Sequence, residues 1–122
     1  MRTDLLPITV YGIANCDSVK KSRAWLADQG LGYQFHDFRK QGLGPEQLDR
    51  WLAQVGWERL LNRQGTTWRR LDDAVRASVT GPDVARGLML AQPSLVKRPV
   101  VEWNDGLTVG YDPQHWAALA AQ

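Results

Sequence analysis

Two short runs of strand-forming residues, separated by one amphipathic helix, constrain this 122-residue chain more than any other feature. Ile8-Thr9-Val10-Tyr11 alternates in character and stops at Gly12, the pattern of a strand. Tyr33 to Phe38 is rich in aromatic residues and follows a short glycine turn, which predicts a second strand. Between them a helix is predicted from near Cys16. Val19, Ser22 and Leu26 fall at i, i+3 and i+7 with Trp25 beside them, and the pattern ends at Gln29-Gly30. Strands joined through a helix run parallel, with a right-handed crossover. The expected class is therefore α/β, opening with a β-α-β unit.

The middle of the chain reads as helical. Gly44-Pro45-Glu46 starts a helix with proline in its first turn, Leu48, Trp51, Leu52 and Val55 keep one face, and Gly56 closes it. A polar turn is expected at Gln64-Gly65-Thr66-Thr67, then a helix around Leu71 to Ser78. Thr80-Gly81-Pro82-Asp83 has the spacing of a capping box for a helix reaching about Ala91. Three successive helices without a strand predict a helical insertion at about 44–95 within a single domain spanning 1–122. The sheet resumes with Pro99 to Trp103, a turn at Asn104-Asp105-Gly106 and Leu107 to Tyr111, since Asp-Gly between two β-forming runs is a hairpin signal. Asp112-Pro113 supplies an N-cap and an N1 proline for a last helix carrying Trp116 and Leu119. The second half of the mixed sheet is thus β-β-α.

Composition narrows the function classes. The length suits one domain, and 43% hydrophobic with 23% charged residues is an ordinary globular balance. No apolar run approaches the roughly 20 residues of a membrane span, so no membrane partner is expected. Met1 to Pro7 is too short in its apolar part and too acidic for a secretory signal. One cysteine cannot form an internal disulfide, which suits a reducing compartment, so a cytoplasmic location is expected; a monomer is expected as well, though not on that ground. The net charge is only +2 and the Lys and Arg residues are spread out, so nucleic acid is not an expected partner. The six tryptophans are read as packing residues. His36 and His115 lack ligand spacing, so no metal is expected. A Gly-rich phosphate loop, a Cys-x-x-Cys pair and a Ser-His-Asp pattern are all missing.

Cys16 stands at the junction of the first strand and helix. Unpaired amides and the positive end of the dipole favour a thiolate there, Lys20 adds charge one turn on, and Asp17 opposes it. The competing reading is a small buried hydrophobe, the usual fate of a free cysteine. Val19 occupies the position of a resolving cysteine, so a redox cycle needs an outside thiol. Lys97-Arg98-Pro99 directly precedes an apolar strand. The topology puts Pro99 across from the end of the first strand, near Cys16, and the fork of Arg98 suits an anion or a peptide-like carboxylate.

Three separated stretches, Ile8 to Gly12 with Asn15-Cys16-Asp17, Leu60 to Arg69, and Lys97 to Val101, together resemble the arsenate reductase-like (ArsC) family. The nearest branch is YffB-like, related to the Spx regulators. The resemblance runs from about Ile8 to Leu119 and implies a thioredoxin-like fold with a helical insert, a nucleophilic Cys16 and a cis bond at Arg98-Pro99. In the arsenate-reducing branch three arginines hold the oxyanion, and glutathione then glutaredoxin resolve the product. Here one arginine carries over as Arg98. The second position is Asn62, with Arg63 one place later, and the third falls at Gly110-Tyr111. Each charge-assisted hydrogen bond contributes about 1.5 to 3 kcal/mol, so losing two guanidiniums weakens an oxyanion site. The function expected from the resemblance is a glutathione-dependent thiol or disulfide reductase. Cys16 is its catalytic nucleophile, Arg98 and Arg63 bind anionic groups, Pro99 shapes the groove, and Asn15 and Lys20 flank the thiol. Glutathione is the co-substrate, with no tightly bound cofactor, and glutaredoxin a candidate partner. The alternatives are an Spx-like regulator binding RNA polymerase, or arsenate reductase itself. Spx proteins commonly carry the Cys-x-x-Cys pair that this chain lacks.

Overall fold

A computed structural model describes residues 8–103 and 106–120. The expectations for Met1 to Pro7 and for the turn residues Asn104-Asp105 lie outside the described residues. In chain order the elements are β1 (Ile8–Gly12), α1 (Asp17–Asp28), β2 (Tyr33–Asp37), α2 (Phe38–Gln41), α3 (Pro45–Val55), α4 (Trp57–Leu60), α5 (Thr66–Arg69), α6 (Asp73–Ala77), α7 (Pro82–Ala91), a 3-10 turn (Pro93–Leu95), β3 (Val100–Trp103), β4 (Gly106–Val109) and α8 (Pro113–Ala120). They form two compact units: the described residues up to Asp37 with those from Arg98 onward, and Phe38–Lys97.

The first unit is a mixed four-stranded sheet in the order β2-β1-β3-β4, the thioredoxin-like arrangement. β1 and β2 are parallel, with Val10 opposite Phe35 and Gly12 opposite Asp37. β3 runs antiparallel to β1, with Tyr11 opposite Val100, and β4 antiparallel to β3, with Val100 opposite Val109. Val10 and Val101 are partners and therefore share a face, where they pack with Leu26 of α1 and Trp116 of α8. Both helices consequently lie on one side of the sheet. Burying a Val or Leu side chain contributes about 1.5 to 3 kcal/mol, so this cluster holds α1 in place. The polar member of the buried stripe of α1 is satisfied, because Ser22 Oγ donates to Ser18 O at 2.6 Å.

The second unit has no named strand. Leu48, Trp51, Leu60, Leu61, Ala85, Met89, Leu95 and Val96 are its buried apolar residues along with Phe38, whose ring lies 6.3 Å from that of Trp51. Leu61 and Val96 form an antiparallel bridge, flanked by Lys97 N–H to Leu60 O and Asn62 N–H to Leu95 O, both 2.7 Å. Asp49 of α3 accepts from Arg86 of α7 at 2.6 and 3.2 Å.

Local details differ from expectation for physical reasons. Phe38 opens α2 and does not end β2. The polar stretch at Gly65 is not a plain turn, for Gly65 is the N-cap of α5. Arg76 donates to the carbonyls of Trp68 and Arg69 at the end of that helix, to that of Leu71 just beyond it, and to Asp73. The capping box at Thr80 does not form. Pro82 takes the first helical position, which moves the N-cap to Gly81 and leaves Asp83 one place too early to answer Thr80. The N-cap of α8 is as expected: Asp112 Oδ1 accepts from His115 N–H at 3.2 Å.

Candidate functional site

β1 delivers the chain to Gly12 and buried Ile13, then through exposed Ala14 and Asn15 to Cys16. Cys16 is the N-cap of α1, with extended φ −137° and ψ 127°, and its carbonyl accepts the first helical bond from Lys20 N–H at 2.9 Å. N-cap side chains are usually oxygens that bind the N2 or N3 amide. This sulfur makes no such capping bond and is a free, half-buried thiol, which excludes the reading of a fully buried hydrophobe. Asn15, Asp17 and Lys20 flank it, all exposed. Val19, three residues on, is fully buried and packs against Gly12: a Cβ at Gly12 would lie 2.6 Å from Val19 Cγ2. Glycine ends β1 because this close approach excludes a side chain.

The register brings Arg98 and Pro99 to the same end of the sheet. Val100 begins β3 opposite Tyr11, so the residues just before it stand beside the loop after Gly12. The Arg98-Pro99 bond is cis, Pro99 is buried and Arg98 half-buried. Gly110 follows β4 with φ +91°, a left-handed conformation in which glycine carries no Cβ penalty, and its N–H donates to Pro99 O at 2.8 Å. Cys16, Arg98-Pro99 and Gly110-Tyr111 therefore share one end of the sheet. Sequence reasoning noticed Gly110-Tyr111 only as a missing arginine. The glycine after a strand was the available signal for a left-handed turn.

Arg63 belongs to the helical unit, where its guanidinium carbon lies 5.6 Å from the Trp57 ring centre, a cation–π distance. Asn62 acts as a turn residue: its Oδ1 accepts from Gln64 N–H at 3.1 Å. In the same unit the hydrogen-bonded guanidinium of Arg86 holds the Asp49 carboxyl below the usual aspartate range. In the sheet unit Tyr11 donates to Glu102 Oε1 at 2.7 Å and its ring stands 5.0 Å from His36. Among the described residues no three His, Cys, Asp or Glu side chains are grouped to hold a metal ion, and no helix is long and apolar enough to cross a membrane.

Comparison with known proteins gives a consistent picture. Residues 11–119 match the ArsC family. A solved arsenate reductase (ArsC) related protein from Brucella melitensis is 54% identical, with 93% of each chain covered and a TM-score of 0.75. The solved YffB protein is 46% identical over 92% of this chain and 97% of its own, with a TM-score of 0.87. The global transcriptional regulator Spx of Streptococcus pyogenes serotype M6 is 25% identical over 94% of this chain and 86% of its own.

Proposed function

This chain belongs to the ArsC family, and on that premise we propose that it is a cytoplasmic, monomeric, glutathione-dependent thiol/disulfide reductase. The observation that carries the reading is the placement of Cys16: a free N-cap thiol, not engaged in capping, at the sheet end that also carries Arg98 and Pro99.

The chemistry is a series of thiol–disulfide exchanges. The Cys16 thiolate attacks one sulfur of a substrate disulfide, a new S–S bond forms, and the other half leaves as thiolate. A glutathione thiolate then attacks that mixed disulfide and restores the Cys16 thiolate. The retained half leaves as a mixed disulfide with glutathione, from which a second glutathione thiolate releases it as thiolate; two glutathiones are oxidised to glutathione disulfide as one substrate disulfide is reduced, and glutaredoxin is the partner suited to that last, glutathionyl mixed-disulfide step. Asn15 and Lys20 border the sulfur, Pro99 forms a wall, and Arg98 binds carboxylates of the tripeptide. Val19 supports an outside resolving thiol, since a fully buried valine stands where an internal one would be. Arsenate reduction is disfavoured by Asn62 and by Gly110-Tyr111, which offer no guanidinium.

Intact-mass analysis after treatment with oxidised glutathione tests this. Wild type should gain one glutathionyl group and Cys16→Ser none. An unmodified wild type, or capture of RNA polymerase from a lysate by a protein that takes no adduct, would overturn the reductase reading in favour of the regulator.

A further inference from the structure

Tyr111 is a large side chain with surface to spare. Among the described residues only Val84 and Tyr111 are exposed large hydrophobics, Tyr111 at 36%. Its surroundings fix it. Gly110, one residue before, is tied to Pro99 O at 2.8 Å, which sets the backbone of Tyr111 at the end of the sheet that carries Cys16. Its ring and that of Trp116 form a T-shaped pair, with centroids 5.4 Å apart and planes at 82°, and Trp116 is itself fully buried between Trp25 and Trp103. Asp112, the next residue, is held as the cap of α8. An aromatic ring braced on one side by a rigid core and partly open to solvent loses little entropy when something is laid on its open side.

We propose that Tyr111 is a specificity residue of the thiol site, its ring face taking the flat amide groups of a peptide-bearing disulfide. This rests on the reductase reading above. A guanidinium at this place would select a small oxyanion through charge. A neutral ring selects instead by contact area, and a tripeptide disulfide has amide planes next to the sulfur where bis(2-hydroxyethyl) disulfide has none. Tyr111 takes no part in bond making. The Cys16 thiolate attacks the disulfide, and the departing half leaves as thiolate.

The test compares oxidised glutathione with bis(2-hydroxyethyl) disulfide, following adduct formation on the full-length protein by mass at several disulfide concentrations. Tyr111→Ala should raise the concentration of oxidised glutathione needed for half-maximal rate roughly three- to tenfold, the scale of one aromatic contact, with the limiting rate unchanged. Its rate with the hydroxyethyl compound should equal that of wild type. Tyr111→Phe keeps the ring and its edge contact, and should behave as wild type with both. Equal slowing with both disulfides would make Tyr111 merely a packing residue and overturn the inference, as would a Tyr111→Ala protein indistinguishable from wild type, or a Tyr111→Phe protein as impaired as Tyr111→Ala. In all three cases the reductase reading survives. A wild type that takes no glutathionyl group overturns that reading and this one together.

Discussion

Trp116 donates its indole N–H to Thr108 Oγ1 at 3.1 Å from a position with no exposed surface. Trp103 donates to the same oxygen at 2.9 Å, so one buried hydroxyl uses both lone pairs to satisfy two indoles. The pair joins β4 to α8 across the core that seats α1. A tryptophan can lie fully inside a small sheet unit because this acceptor is there.

Thr108→Val keeps the shape and removes the acceptor. An unsatisfied buried donor costs about 1 to 3 kcal/mol, and here the Trp116 indole loses its partner entirely. Urea denaturation should show a loss of that size with an unchanged m-value, and Thr108→Ser should keep most of the stability. A Thr108→Val protein as stable as wild type would mean that the indole finds another acceptor.

Gly12→Ala tests the close approach behind the cysteine. A Cβ would fall 2.6 Å from Val19 Cγ2, and Val19 is fully buried in the helix that starts at the cysteine. Overpacking of this kind costs about 1 to 3 kcal/mol. In a double-mutant cycle Val19→Ala should relieve the strain, so the double variant loses less than the sum of the two single losses. Additive losses would show that the backbone absorbs the methyl group elsewhere.

The Asp49–Arg86 bridge between α3 and α7 gives a pH prediction. Arg86 lowers the Asp49 pKa in the folded protein, mainly through the hydrogen bond, and Arg86 in turn stays protonated throughout. A carboxyl with a depressed folded pKa contributes stability that is fully present above its unfolded value and lost as pH falls through the folded one. Wild type should therefore melt slightly above Asp49→Asn at neutral pH, with the gap closing only below the ordinary aspartate value of 3.8. Both side chains are partly exposed, so the gap is small and should shrink in high salt. A gap that widened in acid would reverse the assignment.

The long elements were legible because their patterns are long enough to have a period. The apolar spacing at Val19 and Leu26, the proline at 45 and the Asp112-Pro113 pair each correspond to an observed helix. The four-residue helices α2, α4 and α5 span about one turn and carry no periodic signal, so tertiary bonds such as those from Arg76 decide them. At the Thr80 helix two local rules competed, and the preference of Pro82 for the first turn prevailed over the box. The place of Cys16 followed from local grammar, a glycine-ended strand running into a helix. The bond from Gly110 to Pro99 continues the β3–β4 pairing one step beyond Val100 and Val109; the hairpin was legible from its Asp-Gly signal, but the register that brings Gly110 to Pro99 was not.

Arg98 offers the sharpest separation of binding from chemistry. It precedes β3 at the end of the sheet shared with Cys16 and is half-buried; in the proposed function its guanidinium binds a carboxylate of the peptide thiol. A hydrogen bond to a charged group contributes about 1.5 to 3 kcal/mol, which corresponds to roughly tenfold or more in affinity. Arg98→Ala should accordingly raise the glutathione concentration needed for half-maximal turnover by about that factor, while the rate at saturation changes little, the signature of lost uniform binding. Arg98→Lys should recover only part, because an ammonium cannot reproduce the planar fork. Unchanged saturation in Arg98→Ala would leave the arginine a structural residue of the strand end. A fall in the limiting rate alone would move it from ligand binding to the bond-exchange step at Cys16.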